Sequence, residues 1–115
     1  MVDEIDASDL ARLREEGEVR IVDVRTGPAF ERGHLPGSEH VPFHALTDRV
    51  SEFAGAERIV TVCEHGEASK QAASLIAAYE DVDDDALVAS LEEGIDGWDG
   101  PLEADVTHEP SRKSE

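Results

Sequence analysis

Residues 21–43 have the sequence IVDVRTGPAFERGHLPGSEHVPF, and this stretch decides the fold. It opens on IVDV, an apolar and largely β-branched run that is typical of a strand buried on both faces of a sheet. Gly27 and Pro28 then predict a turn, and a short helical piece is expected around Phe30. The glycines and proline of residues 33–37 predict a loop, so this stretch supplies one strand, one short helix and one loop.

The same pattern continues toward the C-terminus. ERIVTVC repeats the buried strand and ends at Cys63, and SKQAASLIAAYE predicts a helix that starts at Ser69 and is rich in small residues. After the acidic turn DVDDD, the run ALVASL predicts a last strand, which a short helical segment around Trp98 follows. Strands separated by helices predict an α/β fold, with a mostly parallel central sheet and helices on both of its faces.

The remaining segments fit the same architecture. Ile5 is placed in a short opening strand, and Asp6 or Ser8 is expected to cap a helix that Gly17 ends. A short strand is predicted at Val41, where Pro42 ends it. The next apolar residues recur at helical spacing and predict one face of a helix; they are Phe43, Leu46, Val50 and Phe53.

Length and composition bound the domain organisation. The chain has 115 residues, which is enough for one domain, with 28 acidic and 10 basic side chains and a formal charge of −18. We predict a single domain over residues 1–104 and a flexible polar tail over residues 105–115. The surplus of carboxylates disfavours nucleic acids and anionic membranes as partners, because both carry charge of the same sign.

Two further classes are excluded by the sequence. It has no apolar run of the ~18 residues that a membrane span needs, and its N-terminus is acidic rather than basic and apolar, so a cytoplasmic protein is expected. Cys63 is the single cysteine, which excludes an internal disulfide and a thiolate metal site.

The acidic residues are spread along the chain, and only Lys70 and Lys113 are lysines. This pattern resembles proteins of extreme halophiles. Many carboxylates repel one another at low ionic strength, and salt that shortens the Debye length to ~3 Å near 1 M removes that repulsion. We therefore expect a halophilic, acidic protein whose stability depends on salt.

These residues together resemble the rhodanese-like domain family. The residues that match its first signature, a strand ending in Asp-Val-Arg followed by an acidic residue and a Gly-His-Leu-Pro-Gly loop, are Asp23, Val24, Arg25, Glu31, Gly33, His34, Leu35, Pro36, Gly37 and Ser38. Its second signature is matched by Cys63, Gly66 and Ser69, and by the later residues Gly94, Trp98 and Pro101. The resemblance covers residues 4–102 and implies a single rhodanese-like domain.

The loop between strand and helix carries the chemistry. CEHGEA must turn tightly, with Gly66 free to adopt positive φ, so backbone N–H groups converge near the sulfur and favour the thiolate. In the family this cysteine accepts a sulfane sulfur as a persulfide and passes it on. The resemblance therefore implies a sulfurtransferase with Cys63 as its catalytic residue, and a substrate-binding loop formed by Glu64, His65, Gly66, Glu67, Ala68 and Ser69.

The loop also departs from the family pattern. Many active members have an arginine where this chain has Ala68, and a guanidinium there can hold an anionic donor. Glu64 and Glu67 add negative charge, and the nearest positive candidates are Lys70 and His65. We therefore expect thiosulfate to be a poor donor. A second function stays open, a non-enzymatic sulfur-carrier or sensing module with the same fold.

Other assignments are weaker. A phosphatase or arsenate reductase needs arginine where this chain has Ser69, and Pro42 separates the histidines that a metal site would use. Structural support of the loop is expected from Asp23, Arg25, Glu31 and His34.

We expect no cofactor and no metal. The expected partners are a small sulfane-sulfur donor or a persulfidated protein, and a thiol or cyanide acceptor. The oligomeric state is left open.

Overall fold

The computed structural model describes residues 2–104. Its five strands are β1 (Asp3–Ile5), β2 (Arg20–Asp23), β3 (Glu39–His40), β4 (Arg58–Val62) and β5 (Leu87–Leu91). They form one sheet in the order β1-β5-β4-β2-β3, and every neighbouring pair is parallel. The predicted α/β fold with a parallel central sheet is confirmed.

Four α-helices connect the strands: α1 (Ala7–Glu16), α2 (Gly27–Arg32), α3 (Leu46–Arg49) and α4 (Glu67–Ala78). The Asp6 carboxylate caps α1 by accepting from the backbone N–H of Asp9 at 2.9 Å, and Asp9 returns a bond to the Asp6 N–H. The Thr26 hydroxyl oxygen caps α2 by accepting from the backbone N–H of Ala29 at 3.4 Å. Short 3₁₀ turns flank α3 on both sides, and another covers Ile95–Gly97, directly before Trp98.

Side chains of the sheet alternate between two cores. Ile59 and Cys63 of the β4 region face the core that α4 covers, where Phe53 and Ile76 are fully buried. Side chains on the opposite face of the sheet pack with Leu10 of α1. Helices therefore cover both faces, as the sequence predicts, and the strands can be apolar on both sides.

Three boundaries differ from the prediction. The segment from Phe43 to Phe53 is not one helix, because it is divided among α3 and two 3₁₀ turns, and Phe43 is 37% exposed. The backbone N–H of Phe43 bonds to the carbonyl of Val24, the residue after β2, and the first 3₁₀ turn begins at Phe43. Strand β3 precedes Val41 instead of containing it, and α4 begins two residues before Ser69.

The C-terminal end of the described chain returns to the body of the domain. The backbone of Glu103 exchanges two hydrogen bonds with that of His34, each 2.8 Å long. The tail predicted over residues 105–115 lies outside the described residues. Residues 2–104 contain no helix long and apolar enough to cross a membrane.

We expect the charge surplus to make stability depend on salt. The melting temperature should rise from dilute buffer to molar KCl, most steeply where the Debye length falls below ~10 Å, because screening weakens the repulsion among carboxylates. Differential scanning fluorimetry across a KCl series measures this. A melting temperature that stays flat over the series would contradict the halophilic interpretation.

Candidate active site

The site lies where the direction of the chain connections changes. Strands β4 and β2 are neighbours in the middle of the sheet, but β4 leads outward to β5 on one side and β2 leads outward to β3 on the other. Ligands of open parallel sheets bind at the carboxyl ends of strands at such a point. A cavity of about 390 Å³ lies there, lined by Val24, Arg25, Thr26, Ala29, Cys63, Glu64, His65, Glu67 and Ala68.

The Cys63 sulfur lies directly after β4, and this residue is 6% exposed. Its Sγ accepts a hydrogen bond from the backbone N–H of Gly66 at 3.0 Å and lies 3.4 Å from the hydroxyl oxygen of Ser69. Burial raises the pKa of the thiol, but hydrogen bonds from the Ser69 hydroxyl and from backbone N–H groups outweigh it, and the pKa is lowered below the ordinary value. The geometry therefore favours the nucleophilic thiolate.

A second segment holds the loop in this shape. The carbonyl of Cys63 accepts from the backbone N–H of Ile95 at 2.9 Å, and that of Glu64 accepts from the N–H of Asp96 at 3.2 Å. Residues 92–96, called here the clamp segment, thus draw these carbonyls away from the sulfur. The loop N–H groups are left to point toward the sulfur, as the nest predicted from the sequence requires.

The loop and the clamp segment approach so closely that two glycines are needed. Gly66 has φ of +102°, and a Cβ there would lie 1.9 Å from the carbonyl oxygen of Glu92. Gly94 has φ of +65°, and a Cβ there would lie 2.4 Å from the carbonyl oxygen of Glu64. Side chains at either position would force the two segments apart.

Arg25 is the cation that reaches the cavity wall. Its side chain, 7% exposed, donates to the buried carboxylate of Asp23 and, at 2.6 Å, to the carbonyl of Gly33. Burial lowers the pKa of Arg25, but hydrogen bonds and charge from Asp23 outweigh it, so the pKa is raised. Arg25 thus links the buried Asp23 at the end of β2 to Gly33 at the end of α2. The place of Arg25 in the cavity wall follows from its position two residues after the end of β2, which is the neighbour of β4 in the sheet.

The loop carboxylates set the charge of the cavity. One carboxylate oxygen of Glu64 lies 3.6 Å from the Arg25 guanidinium, and the other is buried without a hydrogen-bond partner among the described residues. Glu67 occupies the first position of α4, where the helix dipole favours a carboxylate. Since Asp23 already pairs with Arg25, these two glutamates leave the cavity wall with a negative balance.

Each positive candidate of the sequence contacts a carboxylate that does not line the cavity. His65 is largely exposed, and its Nδ1 contacts the Asp96 carboxylate at 2.7 Å. Lys70 reaches toward Glu4 of β1, with 3.7 Å between the charged atoms, and does not line the cavity. Neither side chain takes the place of the arginine that Ala68 replaces.

His34 of the first signature and the nearby His40 have structural contacts. The ring of Phe30 stacks between those of His34 and His40, with centroid distances of 3.8 and 4.6 Å. His34 Nδ1 also bonds to the Phe30 carbonyl and His40 Nε2 to that of Arg25. Glu31 is exposed on α2 and does not line the cavity, so the structure gives no support for its predicted role. Among residues 2–104, no three His, Cys, Asp or Glu side chains gather as a metal site.

The sequence of this chain is similar to that of known proteins. The model of the rhodanese-like domain matches residues 6–100. The chain is 37% identical over 86 residues to the thiosulfate sulfurtransferase GlpE of Pseudomonas syringae, covering 75% of this chain and 76% of that protein. It is also 43% identical over 61 residues to the HTH-type transcriptional regulator Rv0324 of Mycobacterium tuberculosis, covering 53% of this chain but only 27% of that longer protein.

The fold of this chain is also similar to that of solved structures. A rhodanese-like domain protein from Staphylococcus aureus superposes with a TM-score of 0.74 at 27% identity, covering 90% of this chain and 98% of that one. The rhodanese-like domain of the Alr3790 protein from Anabaena gives a TM-score of 0.72 at 28% identity, covering 100% of this chain and 89% of that one. Because the family match extends over residues 6–100, the chain belongs to the rhodanese-like domain family.

Proposed function

We propose that this protein is a sulfurtransferase that carries a sulfane sulfur as a persulfide on Cys63. The observation that carries the proposal is the position of the Cys63 sulfur, which faces a cavity and accepts a hydrogen bond from the Gly66 N–H at 3.0 Å. The cluster of N–H groups that stabilises a thiolate also suits the terminal sulfur of a persulfide, which carries the same charge.

The reaction has two displacement steps. The Cys63 thiolate attacks the outer sulfur of a donor R–S–S⁻, so that the new S–S bond forms on Cys63 while the donor S–S bond breaks and R–S⁻ leaves with its electron pair and takes up a proton. An acceptor thiolate or cyanide then attacks the terminal sulfur of the Cys63 persulfide, and the Cys63 thiolate leaves. The protein returns to its starting state without a net change in oxidation.

The negative charge of the cavity affects which sulfur donor can load Cys63. Several relatives are named thiosulfate sulfurtransferases, which makes thiosulfate the first donor to test. Glu64 and Glu67 oppose a dianion, and Arg25 is already paired with Asp23. We therefore expect a persulfide on a low-molecular-weight thiol or on a protein to load Cys63 faster than thiosulfate does.

The acidic loop also favours a second candidate, a sulfur carrier or sensing module that holds the persulfide without rapid turnover. Mass spectrometry after exposure to each donor separates the two functions. An enzyme should gain the mass of one sulfur atom on Cys63 and lose it to cyanide or thiols over many turnovers, whereas a carrier should gain it and release it once. A chain that gains no sulfur from any donor would contradict both.

Restoring a cation to the loop should improve the use of thiosulfate. In the double variant Ala68→Arg, Glu67→Gln, we expect KM for thiosulfate to fall by about ten-fold or more, because a charge-assisted hydrogen bond contributes ~1.5–3 kcal/mol. Ala68→Gln, Glu67→Gln is the matched control, since it adds similar bulk without charge. Steady-state kinetics at one salt concentration measure both variants, and an equal gain in the control would contradict the electrostatic explanation.

Cytoplasmic localisation and a thiol or cyanide as the acceptor stay predictions from the sequence. The proposed partners are a small sulfane-sulfur donor or a persulfidated protein, together with a thiol acceptor.

A further inference from the structure

A chain of buried hydroxyl groups lies behind the Cys63 sulfur. Thr61, Ser69 and Ser90 are each fully buried. The register of β4 and β5 pairs Thr61 with Ser90, and both side chains point toward α4, which carries Ser69. The Ser69 hydroxyl oxygen lies 2.7 Å from that of Ser90 and 3.4 Å from the Cys63 sulfur. Three side chains are thus linked in the order Ser90, Ser69, Cys63.

The protons of these hydroxyls can be placed one by one. Thr61 donates to the backbone carbonyl of Ser69 at 2.6 Å, so its proton takes no part in the hydrogen bonds among Ser90, Ser69 and Cys63. The side chain of Ser90 has one hydrogen-bond partner among the described residues, the Ser69 hydroxyl oxygen. When Cys63 is the thiolate and Ser90 donates to Ser69, the proton of Ser69 is left to point at the sulfur, and every hydroxyl proton has an acceptor.

The opposite hydrogen-bond direction, from Ser69 to Ser90, is less favourable. If Ser69 donated to Ser90, the buried proton of Ser90 would have no acceptor among the described residues, which is costly away from water. The sulfur would also lose the hydroxyl donor that favours its charged form. The direction of these hydrogen bonds, from Ser90 to Ser69 and from Ser69 to the sulfur, therefore depends on a hydroxyl group at Ser90.

We propose that Ser90 is a positioning residue, which acts through Ser69 to hold the hydroxyl proton of Ser69 on the Cys63 sulfur. Ser90 does not touch the sulfur itself. Its role in sulfur transfer rests on the proposed function, but its effect on the thiol does not. The charged and titratable groups that face Cys63 from the surrounding elements are Arg25 with its partner Asp23, Glu64, His65 with its partner Asp96, and Glu67.

The test measures the thiol directly in the full chain. The rate of alkylation by iodoacetamide is recorded against pH, and its midpoint gives the pKa of Cys63. Ser69→Ala should raise this pKa by about one unit, because it removes the hydroxyl donor. Ser90→Ala should raise it by about half a unit, because the Ser69 hydroxyl remains but is no longer oriented toward the sulfur. Below the pKa, less thiolate is then present, so alkylation of both variants should slow.

A double-mutant cycle separates this role from a packing effect. In the Ser69→Ala background, Ser90→Ala should add nothing to the pKa, because the residue through which Ser90 acts is gone. Ser90→Thr keeps the hydroxyl and should restore the original pKa. Ser38→Ala is the control, since it removes a hydroxyl that bonds to the Leu35 carbonyl away from the cavity.

Three results would overturn the proposal: an unchanged pKa in Ser90→Ala, an equal rise with and without Ser69, or a raised pKa in Ser90→Thr. Alkylation reports the state of Cys63 whether or not sulfur is transferred. Failure of this proposal is therefore distinguishable from failure of the sulfurtransferase proposal, which the donor-loading experiment tests.

Discussion

Replacing Cys63 by serine should abolish persulfide loading and reduce sulfur transfer by at least ~1,000-fold, because the chain has no other thiol. A hydroxyl in the same place cannot form a stable sulfur adduct. The domain should stay folded, since serine is nearly isosteric and its oxygen can keep the hydrogen bond from the Gly66 N–H. We expect the buried substitution to cost ~1 kcal/mol of unfolding free energy.

Mass spectrometry and a cyanide-acceptor assay measure the two losses, and a urea titration measures the stability of the same preparation. The comparison must be made with a folded variant, which the titration establishes. Transfer by Cys63→Ser above the uncatalysed rate would show that sulfur moves without this residue, and the persulfide mechanism would then be wrong.

Replacing Gly66 by alanine should damage both stability and transfer. The residue has positive φ, which costs an alanine ~1–2 kcal/mol, and the new methyl group would lie 1.9 Å from the Glu92 carbonyl oxygen. That oxygen belongs to backbone and cannot rotate away, so the loop must move. We expect a total loss of ~3 kcal/mol or more. Transfer should fall as well, because the Gly66 N–H leaves the sulfur.

Gly37→Ala is the matched control. Gly37 also has positive φ, +79°, but nothing lies within 4 Å of a Cβ placed there. It should therefore show the conformational cost alone and leave transfer unchanged. Urea titrations of the two variants measure the difference, and equal losses of stability would mean that the close approach of loop and clamp segment does not constrain Gly66.

Much of the fold could be predicted because its determinants are local in sequence. The apolar runs that end at Asp23 and before Cys63 form β2 and β4, and Asp6 and Gly17 bound α1 as predicted. The single helix predicted from Phe43 was wrong, because helical spacing alone does not distinguish one α-helix from a short helix between two 3₁₀ turns.

The site was predictable in its centre but not in its surroundings. The strand, the glycine and the helix around Cys63 are adjacent in sequence, so their chemistry could be inferred. The clamp segment and Ser90 act from far along the chain, and only the parallel pairing of β4 with β5 brings them to the loop. Likewise, the orientation of Lys70 toward Glu4 depends on tertiary structure that the loop sequence does not contain.

The clamp segment has a consequence for protein engineering. Residues 63–69 contain Cys63 and the Gly66 N–H that bonds to its sulfur, but the shape of this loop depends on partners at Ile95 and Asp96 and on the close fit of Gly94. Transplanting the seven residues to another strand–helix junction would leave the carbonyls of Cys63 and Glu64 without those donors and free to turn toward the sulfur. The smallest transferable unit is therefore discontinuous, and a designed scaffold would need to supply both segments in register.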